Sequence, residues 1–133
     1  MVPLNNEIID IDKSGLENYI VSKFLSPHTV VVYNKLYKKD IIGDIRFKSV
    51  SEVGSEDALF NYCILLNVKL ISSINNVFYN GLERVGSTAR TYKFGSMMKT
   101  EKLMEIMKGY SESLSKKYIW DEVEPILFQF YQQ

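Results

Sequence analysis

Residues 55–81 constrain the fold of this chain more than any other stretch, because their apolar side chains recur at the spacing of one helix face. The steps are four, three, four, four and three residues, through Leu59, Cys63, Leu66, Leu70, Ile74 and Val77. Ser55 can cap the first turn, Glu56 and Asp57 complement the positive end of the helix dipole, and Gly81 can end the helix. The spacing predicts a central helix that reaches at least Leu70.

The second half of this stretch also permits a different structure. Ser72, Ser73, Asn75 and Asn76 are poor helix formers, because their short polar side chains compete for backbone hydrogen bonds. The dipeptide at residues 80–81, Asn-Gly, is a strong hairpin signal. The alternative is therefore a helix that stops near residue 71, followed by a hairpin with strands at 77–79 and 82–85.

The first third of the chain predicts one helix and a small sheet. Residues 7–12 alternate isoleucine with acids, which is typical of a short edge strand or an extended arm. Ser14 and Glu17 have the spacing of a capping box, which predicts a helix over residues 15–25. A β-branched run at 29–33 favours a strand, with a helix starting at Pro27 as the alternative, and period-two alternation at 41–47 predicts another strand.

The last third predicts two more helices. One is capped by Thr100 and carries an apolar face made of Leu103, Met107, Tyr110 and Leu114. It fades at residues 115–117. The final helix is expected to begin at Asp121, with Pro125 in its first turn, where the missing N–H matters little.

These elements predict an α+β fold. The expected architecture is a mainly helical single globular domain, residues 1–133, with three to four helices packed on a small antiparallel sheet. A hydrophobic share of 46% suffices for a core without disulfides or metals. Sixteen basic and sixteen acidic residues balance, which excludes a global field that would attract nucleic acid or an anionic membrane.

Residue types that usually carry chemistry are sparse. Cys63, the single cysteine, lies on the predicted core face and is expected to be a buried structural thiol. His28 stands in a predicted turn, and one histidine with one cysteine does not make a zinc site. The carboxylate pairs follow no calcium-loop pattern and are expected to be solvated; they are Asp10 with Asp12, Asp40 with Asp44, and Glu122 with Glu124. We therefore expect no cofactor, no metal and no catalytic activity.

Residues 84–102 form the candidate binding segment, because five cations stand there against Glu101 alone. The side chains expected to contact a partner are Arg84, Arg90, Tyr92, Lys93, Phe94 and Lys99. Cations interleaved with aromatic rings suit an acidic protein partner, and they equally suit single-stranded nucleic acid through phosphate pairing and base stacking. A solvated loop with the rings turned inward is the simplest alternative.

The sequence favours a non-enzymatic protein-binding module. Its closest functional description is a small inhibitor, an antitoxin-like immunity protein or a phage-type regulator, with a nucleic-acid-binding accessory protein as the alternative. The start of the chain lacks a basic region followed by an apolar one, and no apolar run approaches the ~20 residues of a membrane span. We expect a cytoplasmic protein that does not enter membranes, and a homo-oligomer agrees with the composition.

Overall fold

The computed structural model describes residues 6–11, 15–20, 22, 30–78, 80, 82, 85 and 96–131. Within these residues the fold is α+β, with six helices and one two-stranded antiparallel sheet. The elements in chain order are β1 (Glu7–Asp10), α1 (Leu16–Tyr19), α2 (Lys39–Ile42), α3 (Val50–Val53), α4 (Glu56–Leu65), β2 (Leu70–Ser73), α5 (Ser96–Ser113) and α6 (Lys117–Tyr131). The predicted three to four helices correspond to α1, α4, α5 and α6, and the two additional helices are single turns.

Helix α4 is the centre of the core. Every residue from 58 to 66 is buried, so the helix is enclosed on all sides rather than along one stripe. Helix α5 packs against α4 and α6 packs against α5, while α3 contacts α5 and α1 contacts α6. The side of α4 that these helices leave open is covered by residues 30–47, where Phe60 stacks on Phe47 at 4.1 Å between ring centroids and meets the edge of Tyr37.

The prediction that α4 continues through Leu70 is wrong, because side chains from elsewhere satisfy the carbonyl groups at its end. Asn67 Nδ2 donates to the carbonyl of Cys63 at 2.9 Å, and Lys116 Nζ donates to the carbonyl of Leu66 at 2.5 Å. The helix ends at Leu65, and the chain extends into β2 four residues later. Buried Leu59, Cys63 and Leu66 confirm the first half of the predicted face; the second half is exposed, with Leu70 at 61%, Ile74 at 52% and Val77 at 77%.

Strand β2 pairs with β1, so tertiary pairing overrides the local helical spacing of residues 70–73. Ile9 lies opposite Ile71, and both are partly buried against the core. The edge strand predicted within residues 7–12 is confirmed as β1. The hairpin alternative is not observed at the described positions 77, 78, 80, 82 and 85, which lie outside any strand.

Both strands predicted between residues 29 and 47 are wrong at the positions that the structure describes. Residues 31–38 form a bend and a turn, and residues 39–42 form α2. Gly43 ends that turn at φ 49°, a conformation that side chains with a Cβ rarely adopt, and the chain folds back so that Ile45 N–H donates to the Ile42 carbonyl. Period-two spacing at 41–47 therefore arises in a helical turn followed by irregular backbone.

The two C-terminal helices begin earlier than predicted. Helix α5 starts at Ser96 rather than at Thr100, and α6 starts at Lys117 rather than at Asp121. Ser115 has φ 58°, and the N–H of Lys116 donates to the carbonyl of Ser111, which is the hydrogen-bond pattern of a helix end with a left-handed residue. Because the reversal is so tight, Pro125 lies inside α6 rather than in its first turn.

The helix predicted over residues 15–25 is observed as α1 at Leu16–Tyr19, with Ile20 still helical and fully buried. Ser14, the predicted cap, lies outside the described residues, as do residues 23–25 and His28. The predicted apolar faces of α5 and α6 are confirmed by the buried side chains of Leu103, Met107, Val123 and Leu127.

Candidate functional site

Most of the predicted binding segment lies outside the described residues. Arg84, Arg90, Tyr92, Lys93 and Phe94 belong to that part of the chain, so their role as a partner-binding surface stays a prediction. Lys99 is described, and it lies in the first turns of α5 with partial exposure.

The side chain of Lys99 packs beside the end of α3. Gly54 follows α3 with φ 75°, and a Cβ at that position would lie 3.5 Å from Lys99 Cβ and 3.6 Å from its Cδ. The aliphatic part of Lys99 therefore covers backbone, a common arrangement for a long cationic side chain. Met98 beside it is 75% exposed, whereas Met104 and Met107 are buried, as the sequence predicted.

A polar network on α4 holds residues 30–32 by their backbone. Asn61 is buried, and its Nδ2 donates to the carbonyls of Val30 at 2.5 Å and Val31 at 3.3 Å. One helical turn earlier, Asp57 Oδ2 accepts from the N–H of Val32 at 3.3 Å. Two side chains four residues apart on one helix thus replace the strand pairing that the β-branched run predicted.

Two titratable groups border this network. Burial lowers the pKa of Lys35 to about 8, although the nearby Asp57 carboxylate acts in the opposite direction. Burial and the charge of Asp57 raise the pKa of Tyr37 to about 12, and its hydroxyl donates to Asn61 Oδ1 at 2.6 Å. Lys35 Nζ donates to the Val31 carbonyl and to Asn34 Oδ1. These contacts fasten the segment to α4, which is a structural role.

The outward face of the sheet is the first part of an exposed apolar surface. Residues that lie opposite each other in an antiparallel pair point to the same face, so Ile8 and Ser72 share the face carried by Leu70 and Asp10. Ile8 is 77% exposed, and Leu70 lies diagonally across from it. The other face carries Ile9 and Ile71 toward the core. The sheet therefore presents isoleucine and leucine to solvent.

The chain after β2 extends this surface. The backbone N–H of Asn75 donates to Asn6 Oδ1 at 2.9 Å, which keeps the two segments together beyond the last strand pair. Ile74, Val77 and Phe78 follow, and Phe78 is 82% exposed. We define the apolar patch as Ile8, Leu70, Ile74, Val77 and Phe78. Leu82 and Val85, two described positions further along the chain, are also exposed.

Sequence reasoning missed the patch because Leu70, Ile74 and Val77 continue the helical spacing of the core face. The signal that could have revealed it is the polar composition of the intervening residues, Ser72, Ser73, Asn75 and Asn76. Apolar residues separated by poor helix formers indicate an extended chain, and side chains on one face of an extended chain need not face the core.

Two further kinds of site were sought in the described part of the chain. No three histidine, cysteine, aspartate or glutamate side chains come together there in a way that could hold a metal ion. Among the same residues, no helix has both the length and the apolar character required to cross a membrane.

In comparisons with known proteins, the chain matches no protein family, no curated protein and no solved structure. Its function is therefore inferred from its own residues.

Proposed function

We propose that this chain is a protein-binding module that docks a partner protein on the apolar patch. The observation that carries the proposal is the exposure of five large apolar side chains, which continue from the outward face of the sheet into residues 74–78. A protein that acts by occupying a partner, such as an inhibitor, an antitoxin-like immunity protein or a phage-type regulator, needs a surface of this kind.

The size of the patch supports this proposal. Side chains of isoleucine, leucine, valine and phenylalanine that are more than half exposed present together several hundred Å² of apolar area, whereas the largest patch of a typical monomer is roughly 300–600 Å². Removing such area from water contributes about 25 cal/mol per Å², so covering it favours association.

The chemistry of the patch favours a protein over a nucleic acid as the partner. Residues 70–78 contain no charged side chain, so the patch offers nothing that would pair with phosphates. The residues between its apolar members are serines and asparagines, which resemble the polar rim of a protein interface.

The test is affinity capture from the native cells with nuclease treatment, using the wild type and two matched variants. Phe78→Ser removes an exposed ring from the patch, and Tyr118→Ser removes an exposed ring from α6. We expect the wild type and Tyr118→Ser to capture the same protein at fixed stoichiometry, and Phe78→Ser to lose most of it. Both variants should unfold within about 0.5 kcal/mol of the wild type, because their side chains are exposed.

Arg90→Glu separates this proposal from the binding segment that the sequence predicted. If capture depends on Arg90 and disappears with nuclease, the chain is a nucleic-acid-binding protein and the proposal is wrong. Equal capture by Phe78→Ser and the wild type would also contradict it, because the patch would then contribute nothing to binding.

A further inference from the structure

The polar residues of the apolar patch are self-complementary. Ser72 lies on the outward face of the sheet, and Asn6, Asn75 and Asn76 are exposed beside it. A hydroxyl or a carboxamide both donates and accepts hydrogen bonds, so each of these side chains can pair with an identical one. A surface built for a strongly charged partner would instead carry the opposite charge.

Charge also permits the patch to meet its own copy. Residues 70–78 carry no charge, and the two charged residues that border the sheet's outward face, Asp10 and Lys69, have opposite signs. The whole chain has a formal net charge of zero. In a twofold dimer each patch contacts itself, and a patch of one sign would repel its copy; this one does not.

We infer that the partner seated on the apolar patch is a second copy of this chain, in a twofold dimer whose outward sheet faces oppose each other. The inference rests on the proposed function and specifies its partner. A stable interface covers about 800 Å² on each side, and the five apolar residues together with their serine and asparagine neighbours are enough residues to approach that area.

The mass in solution tests the inference. By sedimentation velocity at increasing concentration, the wild type should pass from the 15.4 kDa monomer to twice that mass. Phe78→Asp and Ile8→Asp should weaken the association at least tenfold, because each would place a charge in the apolar interface. Tyr118→Asp on α6 is the matched control and should leave it unchanged. Raising the salt concentration should not dissociate the dimer, because its contacts are uncharged.

A disulfide between copies tests the geometry. Ser72→Cys places a thiol on the outward face near the expected twofold axis, whereas Ser113→Cys places one at the exposed end of α5. Since Cys63 is buried, it does not compete. Mild oxidation should link Ser72→Cys into dimers far faster than Ser113→Cys.

A wild type that stays at 15.4 kDa at concentrations of hundreds of micromolar would overturn the inference. So would dimers that Phe78→Asp does not weaken, or large heterogeneous aggregates in place of a discrete dimer. Capture of a different protein through the patch by a monomeric chain would overturn the dimer alone, while the absence of any association through the patch would also remove the proposed function.

Discussion

Buried polar side chains in this protein join segments that are distant in sequence. Tyr62 and Ser111 meet inside the core at 2.7 Å between their hydroxyl oxygens. Ser111 donates its single hydroxyl hydrogen to the Met107 carbonyl at 2.9 Å, so Tyr62 is the donor of the pair. Tyr62 also meets Trp120 edge to face, with ring centroids 6.1 Å apart. One tyrosine thus connects α4 to α5 by a hydrogen bond and to α6 by an aromatic contact.

Cys63 should be unreactive in the native protein. Its side chain is buried, and burial raises the pKa of the thiol to about 12, so the reactive thiolate is scarce at pH 8. We expect Ellman's reagent to label Cys63 only after denaturant is added. In Ser113→Cys, which carries a second, exposed thiol, one equivalent should react at once and the other only on unfolding. Labelling of both thiols at the same fast rate would mean that Cys63 is accessible.

The element scale shows where local spacing ceases to describe the fold. Leu66 and Leu70 belong to one predicted helical face, yet Leu66 is 1% exposed in the core and Leu70 is 61% exposed on β2. The difference arises from contacts that no local window contains. Asn67 and Lys116 satisfy the carbonyls at the end of α4, and β1 supplies the pairing partner for residues 70–73.

Replacing these two leucines by alanine should have very different effects. Leu66→Ala should lower the free energy of unfolding by about 2–5 kcal/mol, because it leaves a cavity in the core. Leu70→Ala should change it by no more than about 0.5 kcal/mol, because that side chain is exposed. Urea unfolding at low protein concentration measures both without a contribution from association. Similar losses for the two variants would restore the continuous helix and contradict the fold described above.

Helices were predictable where an apolar period ran with a cap or a breaker, as in α1, α5, α6 and the first half of α4. Strand pairing was not predictable, because Ile9 and Ile71 are 62 positions apart and nothing local signals their contact. The β-branched run at residues 30–33 failed as a strand for the same reason, since Asn61 and Asp57 provide hydrogen-bonding partners for its backbone. The candidate site was missed because it lies on the segment whose structure depends on that pairing.

At the scale of the whole molecule, buried acidic groups should make stability fall in alkali. Burial raises the pKa values of Tyr37, Tyr62 and Cys63 to about 12, above their ordinary values of 10.0 and 9.0. Between those limits the unfolded chain loses protons that the folded chain keeps, which favours unfolding as pH rises. Lys35 acts oppositely from pH 8 to 10.5, because its folded pKa is lowered to about 8. Loss of stability should therefore dominate above about pH 10.

Urea unfolding at pH 7, 9, 10 and 11 checks this expectation. Tyr37→Phe removes one of the responsible groups, so the decline of its unfolding free energy between pH 10 and 11 should be shallower than in the wild type. The reduction should be at most about 1.4 kcal/mol per pH unit, the slope of one proton. Tyr118→Phe, which changes an exposed tyrosine, should follow the wild type. A wild type that is equally stable at pH 9 and pH 11 would show that these hydroxyls are solvated.

The enclosure of α4 also has a consequence during synthesis of the chain. A helix that is apolar on every side cannot be hidden by its neighbours in sequence, because α5 begins about 30 residues after α4 ends and α6 follows later still. At roughly 5–20 residues per second, the ribosome leaves this segment without its cover for several seconds. Residues 56–66 are therefore the part of the nascent chain most exposed to capture by chaperones, and rare codons placed between α4 and α5 should lower the soluble yield.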